Sequence, residues 1–164
     1  MHSLRVLKEV DINLVQSWLS QDYIKKWFGD PIEWLEEIKG RNNKYSFIHH
    51  FIMEECNKPI GFCQYYDYNQ LPFEDMDQEE PVGTYGIDYL IGEKSSLGKG
   101  IGKCIVKLIC DKVMEENENI FQIVADPTME EGRINIASIK VLEANQFHYD
   151  ENAKLYKKYI SFIL

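Results

Sequence analysis

The sequence contains no apolar run that approaches the roughly 18 to 20 residues needed for a membrane-crossing helix. Its first residues, MHSLRVLKEVD, also lack the apolar stretch of a secretory signal peptide. The four cysteines form no C-x-x-C pair and have no histidine at ligand spacing, which disfavours a zinc site or a disulfide framework. We therefore expect a cytoplasmic protein with reduced thiols, no metal and no membrane association.

Basic residues are also scarce, because 18 Lys and Arg face 27 Asp and Glu, giving a net charge of −9. A nucleic-acid partner requires a basic face, and a membrane-surface helix requires Lys and Arg, so we expect neither. The 164 residues are 45% apolar and 13% aromatic, which fits a single domain over residues 1–164 with a sizeable core. The sequence leaves open whether the protein is a monomer or a homodimer.

The charge is distributed unevenly along the chain. Nine carboxylates and one lysine lie between Glu54 and Gly92, whereas five lysines and two carboxylates lie between Glu93 and Lys112. Most of the acidic excess belongs to a loop predicted at residues 69–83, which we call the acidic loop. Its carboxylates are Glu74, Asp75, Asp77, Glu79 and Glu80. Such a run is usually a solvated surface, although it could also attract a cationic ligand.

Residue patterns predict an α/β chain of the α+β or mixed type, because the predicted strands outnumber the helices and occur in hairpins. The predicted strands cover residues 4–7, 45–54, 60–68, 84–92, 120–125, 147–152 and 154–163. The predicted helices cover residues 12–19, 31–38, 101–116 and 135–144. We expect Asp11 to be the N-cap of the first helix, and Asp30-Pro31 to begin the second.

A glycine-rich segment lies between a predicted strand and the strongest predicted helix. It reads Ser95-Ser96-Leu97-Gly98-Lys99-Gly100-Ile101-Gly102, with Lys103 directly after it. Alternating glycines leave backbone N–H groups uncovered, and the start of a helix adds positive potential, so we predict an anion site. The spacing fits neither a P-loop nor a dinucleotide-binding fold. A plain glycine-rich turn before a helix is the structural alternative.

This strand, glycine loop and helix resemble the acetyl-CoA-binding motif of the GNAT superfamily of N-acetyltransferases. The glycines match at Gly100 and Gly102, while Leu97 occupies a position where Arg or Gln is usual. The resemblance implies a mixed sheet of about six or seven strands flanked by about four helices. It also implies that acetyl-CoA is held by Leu90, Ile91, Gly92, Leu97, Gly98, Lys99, Gly100, Ile101, Gly102, Lys103, Asn135 and Ser138.

Within that superfamily, several segments are similar, in order, to the aminoglycoside 6'-N-acetyltransferases. They are Ile24–Gly29, Gly61–Tyr66, Gly86–Asp88, Leu97–Gly100 and Asp126-Pro127, and they span nearly the whole chain. The resemblance implies transfer of acetyl to the 6'-amine of an aminoglycoside by direct attack on the thioester, a reaction that confers antibiotic resistance. Two alternatives remain: another amine acceptor, such as a polyamine, lysine or siderophore precursor, and a non-catalytic module that binds acetyl-CoA or a drug.

The resemblance also assigns roles on the acceptor side. It implies that Asp88 is the catalytic base, although a polar residue on the solvent side of a half-buried strand is the simpler explanation. The acceptor residues that we expect are Trp27, Tyr65, Tyr66, Glu79, Asp88 and Asp126, because carboxylates beside aromatic faces suit a polycationic amine. Leu142 stands where the superfamily often places a tyrosine that protonates the departing thiolate. Asn135 equally fits a helix N-cap.

Overall fold

The computed structural model describes residues 1–76 and 78–160, which form a seven-stranded sheet with helices on both faces. The strand order is β1-β2-β3-β4-β5-β9-β8, and neighbouring strands are antiparallel except for the parallel pair β4 and β5. The strands of this sheet are β1 (His2–Val6), β2 (Ile48–Glu55), β3 (Lys58–Asp67), β4 (Thr84–Ile91), β5 (Gln122–Ala125), β8 (His148–Asp150) and β9 (Leu155–Tyr159). The helices are α1 (Ile12–Leu19), α2 (Asp22–Phe28), α3 (Pro31–Lys39), α4 (Ile101–Glu116) and α5 (Ile136–Ala144).

The predicted mixed architecture is confirmed, and the structure adds two elements that the sequence patterns did not indicate. Helix α2 starts three residues after α1 ends, and a two-stranded hairpin, β6 (Met129–Glu130) and β7 (Arg133–Ile134), separates β5 from α5. The predicted strand over residues 45–54 begins three residues late, because the chain forms turns as far as Phe47. The end of the last predicted strand, residues 161–163, lies outside the described residues.

The helix starts show how local sequence sets these boundaries. Asp30 caps α3 by accepting a hydrogen bond from Ile32 N at 3.0 Å, with Pro31 in the first turn. Asp11 precedes α1 as predicted, but its buried carboxylate binds the Arg5 guanidinium at 2.7 and 2.9 Å instead of capping the helix. In the part of the chain that the structure describes, no helix has the length and apolar character to span a bilayer.

Two hydrophobic cores cover the two faces of the sheet. Helices α1 and α3 pack on one face around Trp18, Ile38 and Phe62, and α4 packs on the other around Ile87 and Ile105. Successive side chains of a strand point to opposite faces. Strand β4 therefore presents Leu90 to the α1–α3 face and Ile87 to the α4 face.

Strands β4 and β5 part soon after they meet. Their parallel pairing joins Thr84–Gly86 to Gln122–Val124, while β4 continues as far as Ile91. Beyond Gly86, β4 stays hydrogen-bonded to β3 through the partners of residues 87–91. The divergence opens a gap in the middle of the sheet, with one half of β4 along its edge.

The acidic loop is fixed to the sheet at its C-terminal end by Glu80. Glu80 is 7% exposed as a whole residue. Its carboxylate accepts one hydrogen bond from Lys157 Nζ at 2.8 Å and another from Gln122 Nε2 at 2.9 Å. Lys157 also pairs with Asp150 at 3.2 Å. Burial alone would raise the pKa of Glu80, but the hydrogen bond from Lys157, with those from Gln78 and Gln122, holds that pKa below its usual value.

We predict that Glu80→Gln lowers the free energy of unfolding by about 3 kcal/mol, because breaking a buried ion pair leaves Lys157 with a single partner. Glu79→Gln is the matched control, since the neighbouring Glu79 is exposed and should change stability by less than about 0.5 kcal/mol. Urea unfolding of the three proteins measures the difference. Equal losses in both variants would contradict a structural role for Glu80.

Candidate active site

A cavity of about 520 Å³ lies in the gap between β4 and the end of β5. Five parts of the chain line it: the second half of β4, the glycine loop with the start of α4, residues 125–128, α2, and the first turns of α5. This volume is within the range of small-molecule sites. The cavity opens on both faces of the sheet, because residues that point to opposite faces of β4, Asp88 and Tyr89, both line it.

The glycine loop forms one wall of the cavity. Gly98 and Gly100 adopt left-handed conformations with φ of 73° and 75°, which a residue with a side chain rarely tolerates. Gly100 is the N-cap of α4, so the free N–H groups of the first helical turn are part of this wall. Leu97, Gly98, Ile101, Gly102 and Lys103 line the cavity as well. The wall combines uncovered N–H donors, a helix N-terminus and a lysine, which suits an anion.

Asp88 projects from β4 on the α1–α3 face. Its carboxylate is half-buried, and Oδ2 accepts a hydrogen bond from Gln64 Nε2 at 3.0 Å. Burial raises the pKa of Asp88 to about 6, with a further increase from the charge of Asp126, while the Gln64 hydrogen bond acts in the opposite direction. At neutral pH this carboxylate is charged, and it is a stronger base than an ordinary aspartate.

Further acidic and aromatic groups surround Asp88. Asp126 follows β5 and lines the cavity opposite Asp88. Burial and the Asp88 charge raise the pKa of Glu37 on α3 to about 7, and burial with the same charge holds the pKa of Tyr66 well above its usual value. The ring of Tyr66 lies directly over Gly86, where any Cβ would collide with it. Three carboxylates thus lie near one tyrosine.

Aromatic side chains from α2 and α3 form the rim on this face. Trp27, Phe28 and Trp34 line the cavity, and the rings of Phe28 and Trp34 lie 5.0 Å apart. The β6–β7 hairpin approaches the same rim, since Arg133 Nη1 donates to Lys26 O at 3.2 Å. The cavity is therefore enclosed on the α1–α3 face by α2 and by the β6–β7 hairpin.

Helix α2 also binds the end of β4. The Tyr23 hydroxyl lies 2.8 Å from Ile91 O and 2.9 Å from Gly92 O, and Gln21 Nε2 donates to Gly92 O at 2.8 Å. Gly92 N donates to Ile60 O at 2.8 Å. Leu90 and Ile91 line the cavity, whereas both backbone polar groups of Gly92 are already hydrogen-bonded within the protein.

The structure does not bring every predicted site residue together. Tyr65 is 1% exposed on the α4 face, where its ring stacks on His49 and its hydroxyl donates to Glu116 Oε2 at 2.7 Å. Glu79 is exposed on the acidic loop. Of the predicted site residues, five do not line the cavity: Tyr65, Tyr66, Glu79, Gly92 and Lys99. Tyr65 and Tyr66 separate because neighbours on a strand face opposite ways.

The N-terminal part of α5 completes the cavity. Asn135 is the N-cap of this helix, with Oδ1 accepting from Ser138 N at 3.1 Å, and both residues line the cavity. Leu142 is fully buried in the core on the α4 face, away from the cavity lining. The hydroxyl of Tyr89 approaches this helix and lies 2.6 Å from Ser138 Oγ.

Sequence reasoning missed Glu37 and Tyr89. The sequence contained a pattern that could have revealed Glu37. This residue lies at helical spacing from Trp34 and next to buried Ile38, so a carboxylate interrupts the inward face of α3. No sequence pattern distinguishes Tyr89, since an aromatic residue on a central strand is ordinary core composition.

The profile of a family described as "Acetyltransferase (GNAT) domain" matches residues 8–155, which is most of the chain. The chain belongs to this family. This confirms the expectation drawn from the resemblance of the strand, glycine loop and helix. The gap between β4 and β5 and the glycine loop before α4 both lie within the residues that match this family.

Named relatives and solved structures agree with this assignment. The GNAT domain is 25% identical over 138 residues to the aminoglycoside N(6')-acetyltransferases type 1 of Klebsiella pneumoniae and of Serratia marcescens. That match covers 77% of this chain, which spans 65% of the length of those curated relatives. The fold is similar to aminoglycoside acetyltransferase AAC(6')-Ib in complex with coenzyme A, with a TM-score of 0.82, 22% identity, and coverage of 97% of this chain and 95% of the other.

We predict that Asp88→Asn stabilises this GNAT domain at neutral pH. The pKa of Asp88 rises from an ordinary 3.8 to about 6 on folding, so the folded state binds the proton more tightly than the unfolded state. The free energy of unfolding should therefore fall as the pH rises through this range, and the neutral amide should remove that loss.

Urea unfolding at neutral pH should give Asp88→Asn an advantage of about 2 kcal/mol over the native chain, and the advantage should disappear near pH 4. Glu118→Gln, which removes an exposed charge beyond α4, controls for net charge. A less stable Asp88→Asn variant at neutral pH would show that the carboxylate is not penalised by burial.

Proposed function

We propose that the chain transfers the acetyl group of acetyl-CoA to a primary amine of a polycationic acceptor, the 6'-amine of an aminoglycoside. One observation carries the proposal: a glycine loop suited to an anion and a half-buried carboxylate with a pKa raised to about 6 line the same cavity at the β4–β5 gap. Relatives at 25% identity are named aminoglycoside N(6')-acetyltransferases, and a neighbour of similar fold, with a TM-score of 0.82, is AAC(6')-Ib with coenzyme A and kanamycin.

The residues of the glycine loop fit a coenzyme A pyrophosphate. Left-handed Gly98 and Gly100 expose the N–H groups of the loop, and the α4 N-terminus and Lys103 add positive potential beside it. The apolar walls from Leu90, Ile91 and Val141 suit a pantetheine chain. In this proposal Lys99 is a screening charge at the loop surface, and Gly92 does not pair with the coenzyme.

The acceptor side fits a molecule that carries several ammonium groups. Asp88, Asp126 and Glu37 provide carboxylates on one face of the gap, and Trp27 offers a ring on which a sugar or a cation can lie. Tyr66 belongs to this group, because it lies among the same carboxylates. Tyr65 and Glu79 are left out, since one is buried on the other face and the other is exposed outside the cavity.

Asp88 performs the central step on the acceptor. It binds the ammonium and passes one of its protons to water, so that a neutral amine faces the thioester that acetyl-CoA supplies when bound. It then accepts the second proton as this nitrogen attacks. A pKa of about 6 makes this transfer easier than it would be for an ordinary carboxylate. Gln64 fixes the orientation of Asp88 through its 3.0 Å hydrogen bond.

We also propose that the protein works in the cytoplasm, where acetyl-CoA is made. The four cysteines are free thiols in the structure, including exposed Cys56, as expected in a reducing compartment.

We predict that the protein releases coenzyme A thiol when it is mixed with acetyl-CoA and kanamycin, and that mass spectrometry finds one added acetyl group at the 6'-amine. Asp88→Asn should lower kcat/KM for kanamycin by about 100-fold or more, because it removes both the ammonium partner and the proton acceptor. A panel containing spermidine, lysine and kanamycin compares the acceptor classes.

The control is Glu118→Gln, an exposed carboxylate distant from the cavity lining, which should keep the native kcat/KM. No turnover with any aminoglycoside would overturn the proposal. Faster turnover of spermidine or lysine would retain acetyl transfer and replace the acceptor. Tight drug binding without thiol release would indicate a sequestering module.

We predict that kcat/KM for kanamycin falls below about pH 6, as Asp88 takes up a proton and loses its charge. Gln64→Leu should move this acidic limb to higher pH, because the Gln64 hydrogen bond lowers the pKa of Asp88. Steady-state kinetics from pH 5 to pH 8 at constant ionic strength measure the limb. An unchanged limb in Gln64→Leu would assign it to another group.

A further inference from the structure

A row of three polar side chains crosses the sheet and ends at Asp88. Strand register pairs His50 on β2 with Gln64 on β3, and Gln64 with Asp88 on β4. Residues directly opposite each other in antiparallel strands share a face, with Cβ atoms about 4.5 to 5.5 Å apart. The three side chains therefore lie side by side on the α1–α3 face. Of the three, Asp88 alone lines the cavity, and His50 is at the far end of the row.

His50 and Gln64 are buried without a full set of hydrogen bonds. His50 is 4% exposed and Gln64 is 2% exposed. Among the described residues, neither ring nitrogen of His50 has a hydrogen-bond partner, and neither does Oε1 of Gln64. Buried polar atoms in folded proteins are nearly always hydrogen-bonded, to protein or to ordered water. These unpartnered atoms belong to cross-strand neighbours, so one shared partner can serve both side chains.

The orientation of the Gln64 amide matters for the candidate site. Its Nε2 donates to Asp88 Oδ2 at 3.0 Å, and its Oε1 lies on the other branch of the same amide. An amide that turned over would present an acceptor oxygen to the carboxylate and lose this hydrogen bond. A donor held at Oε1 would fix the amide in the useful orientation. His50 is the polar neighbour on the other side of Gln64 from Asp88.

The groups around His50 keep its ring neutral. Burial, together with the charges of Arg41 and His49, lowers the pKa of His50 to about 4. Arg41 is itself engaged, because it donates to a backbone carbonyl of α3 at 2.8 Å and to Glu9 at 3.0 Å. A neutral imidazole has one donor and one acceptor nitrogen, and it carries no charge that could act on Asp88. Any effect of His50 on Asp88 at neutral pH therefore passes through hydrogen bonds.

We propose that His50 is a positioning residue for Asp88 and acts through Gln64, with one buried water joining a ring nitrogen of His50 to Gln64 Oε1. The side chains are cross-strand neighbours without a direct hydrogen bond in the described structure, a separation that a bridging water suits. The water donates to Oε1 and thereby keeps Nε2 on Asp88. The consequence for acetyl transfer, a carboxylate held in one direction, rests on the proposed function.

The first test measures Asp88 in the protein alone, with no coenzyme or acceptor. Carbon-13 NMR of labelled aspartate carboxyl groups gives the pKa of Asp88, and the signal missing from Asp88→Asn assigns it. His50→Phe keeps a ring beside Phe62, which lies 6.0 Å from the His50 ring, but removes both nitrogens. Because a loosened Gln64 amide donates less to the carboxylate, this variant should raise the pKa of Asp88 by about 0.5, or threefold in proton affinity.

Other ionisable groups face Asp88 and titrate near it. The charge of Asp126 raises the pKa of Asp88, while Glu37 on α3 and Tyr66 on β3 respond to the Asp88 charge. All of these groups remain in the His50 variants. A difference between variants therefore reports on the Gln64 hydrogen bond.

Three further variants make the test specific. His49→Phe is the matched control, because His49 is exposed on the opposite face, where it stacks on Tyr65 at 4.6 Å, and it should leave the pKa of Asp88 unchanged. His50→Gln keeps a polar group for the water and should restore the native pKa. In a Gln64→Leu background, His50→Phe should add no further shift, because the link is already broken.

A kinetic measurement connects the positioning role to catalysis. Loss of a hydrogen bond that favours the charged form raises the pKa of Asp88, so the acidic limb of kcat/KM for kanamycin should move to higher pH in His50→Phe. The move should equal the NMR shift, while KM for acetyl-CoA stays native. Urea unfolding shows whether each variant keeps the native stability.

The outcomes separate this inference from the proposed function. An unchanged pKa of Asp88 in His50→Phe would overturn the inference, and so would an equal shift in the Gln64→Leu background. A high-resolution crystal structure with no water within hydrogen-bond distance of both His50 and Gln64 Oε1 would overturn it without any variant. A raised pKa in His50→Phe, in a protein that transfers no acetyl group, would support the positioning role and overturn the proposed function.

Discussion

The parting of β4 and β5 is the constraint on which the candidate site depends. These parallel strands pair over Thr84–Gly86 and then diverge, so the second half of β4 keeps β3 as its neighbour and borders a gap on its other side. A continuous sheet would separate the α1–α3 face from the α4 face. Because the sheet opens, adjacent residues that point to opposite faces, Asp88 and Tyr89, both line one cavity.

The uneven distribution of charge along the chain can be compared with the charges that surround this gap. The lysine-rich segment contains the glycine loop, which forms one wall of the cavity. Asp88 and Asp126 line the cavity, and Glu37 lies close enough for the Asp88 charge to raise its pKa. One carboxylate of the acidic excess has a structural use, since Glu80 anchors the acidic loop to Lys157. Burial disfavours the charged form of Asp88, so we expect this carboxylate to lower stability at neutral pH, as functional residues often do.

Local sequence predicted most of the fold and the glycine loop before α4, because those features depend on short-range patterns. Glycine spacing, the apolar stripe of α4 and the Asp30-Pro31 start of α3 are readable within a few residues. The acceptor half depends on which face each strand residue takes and on what packs over it. The alternating direction of side chains along a strand could have predicted that Tyr65 and Tyr66 point to opposite faces. The proximity of Tyr89 to Ser138 depends on how α5 packs, which no local pattern encodes.

A crystal structure with coenzyme A and kanamycin tests the central claim most directly, because the claim is that donor and acceptor meet in the β4–β5 gap. We predict that the pyrophosphate lies on the glycine loop, that the sulfur lies in the gap between β4 and β5, and that the 6'-amine contacts Asp88. A coenzyme bound outside the gap, or an aminoglycoside held by the exposed acidic loop with its amine far from Asp88, would contradict it.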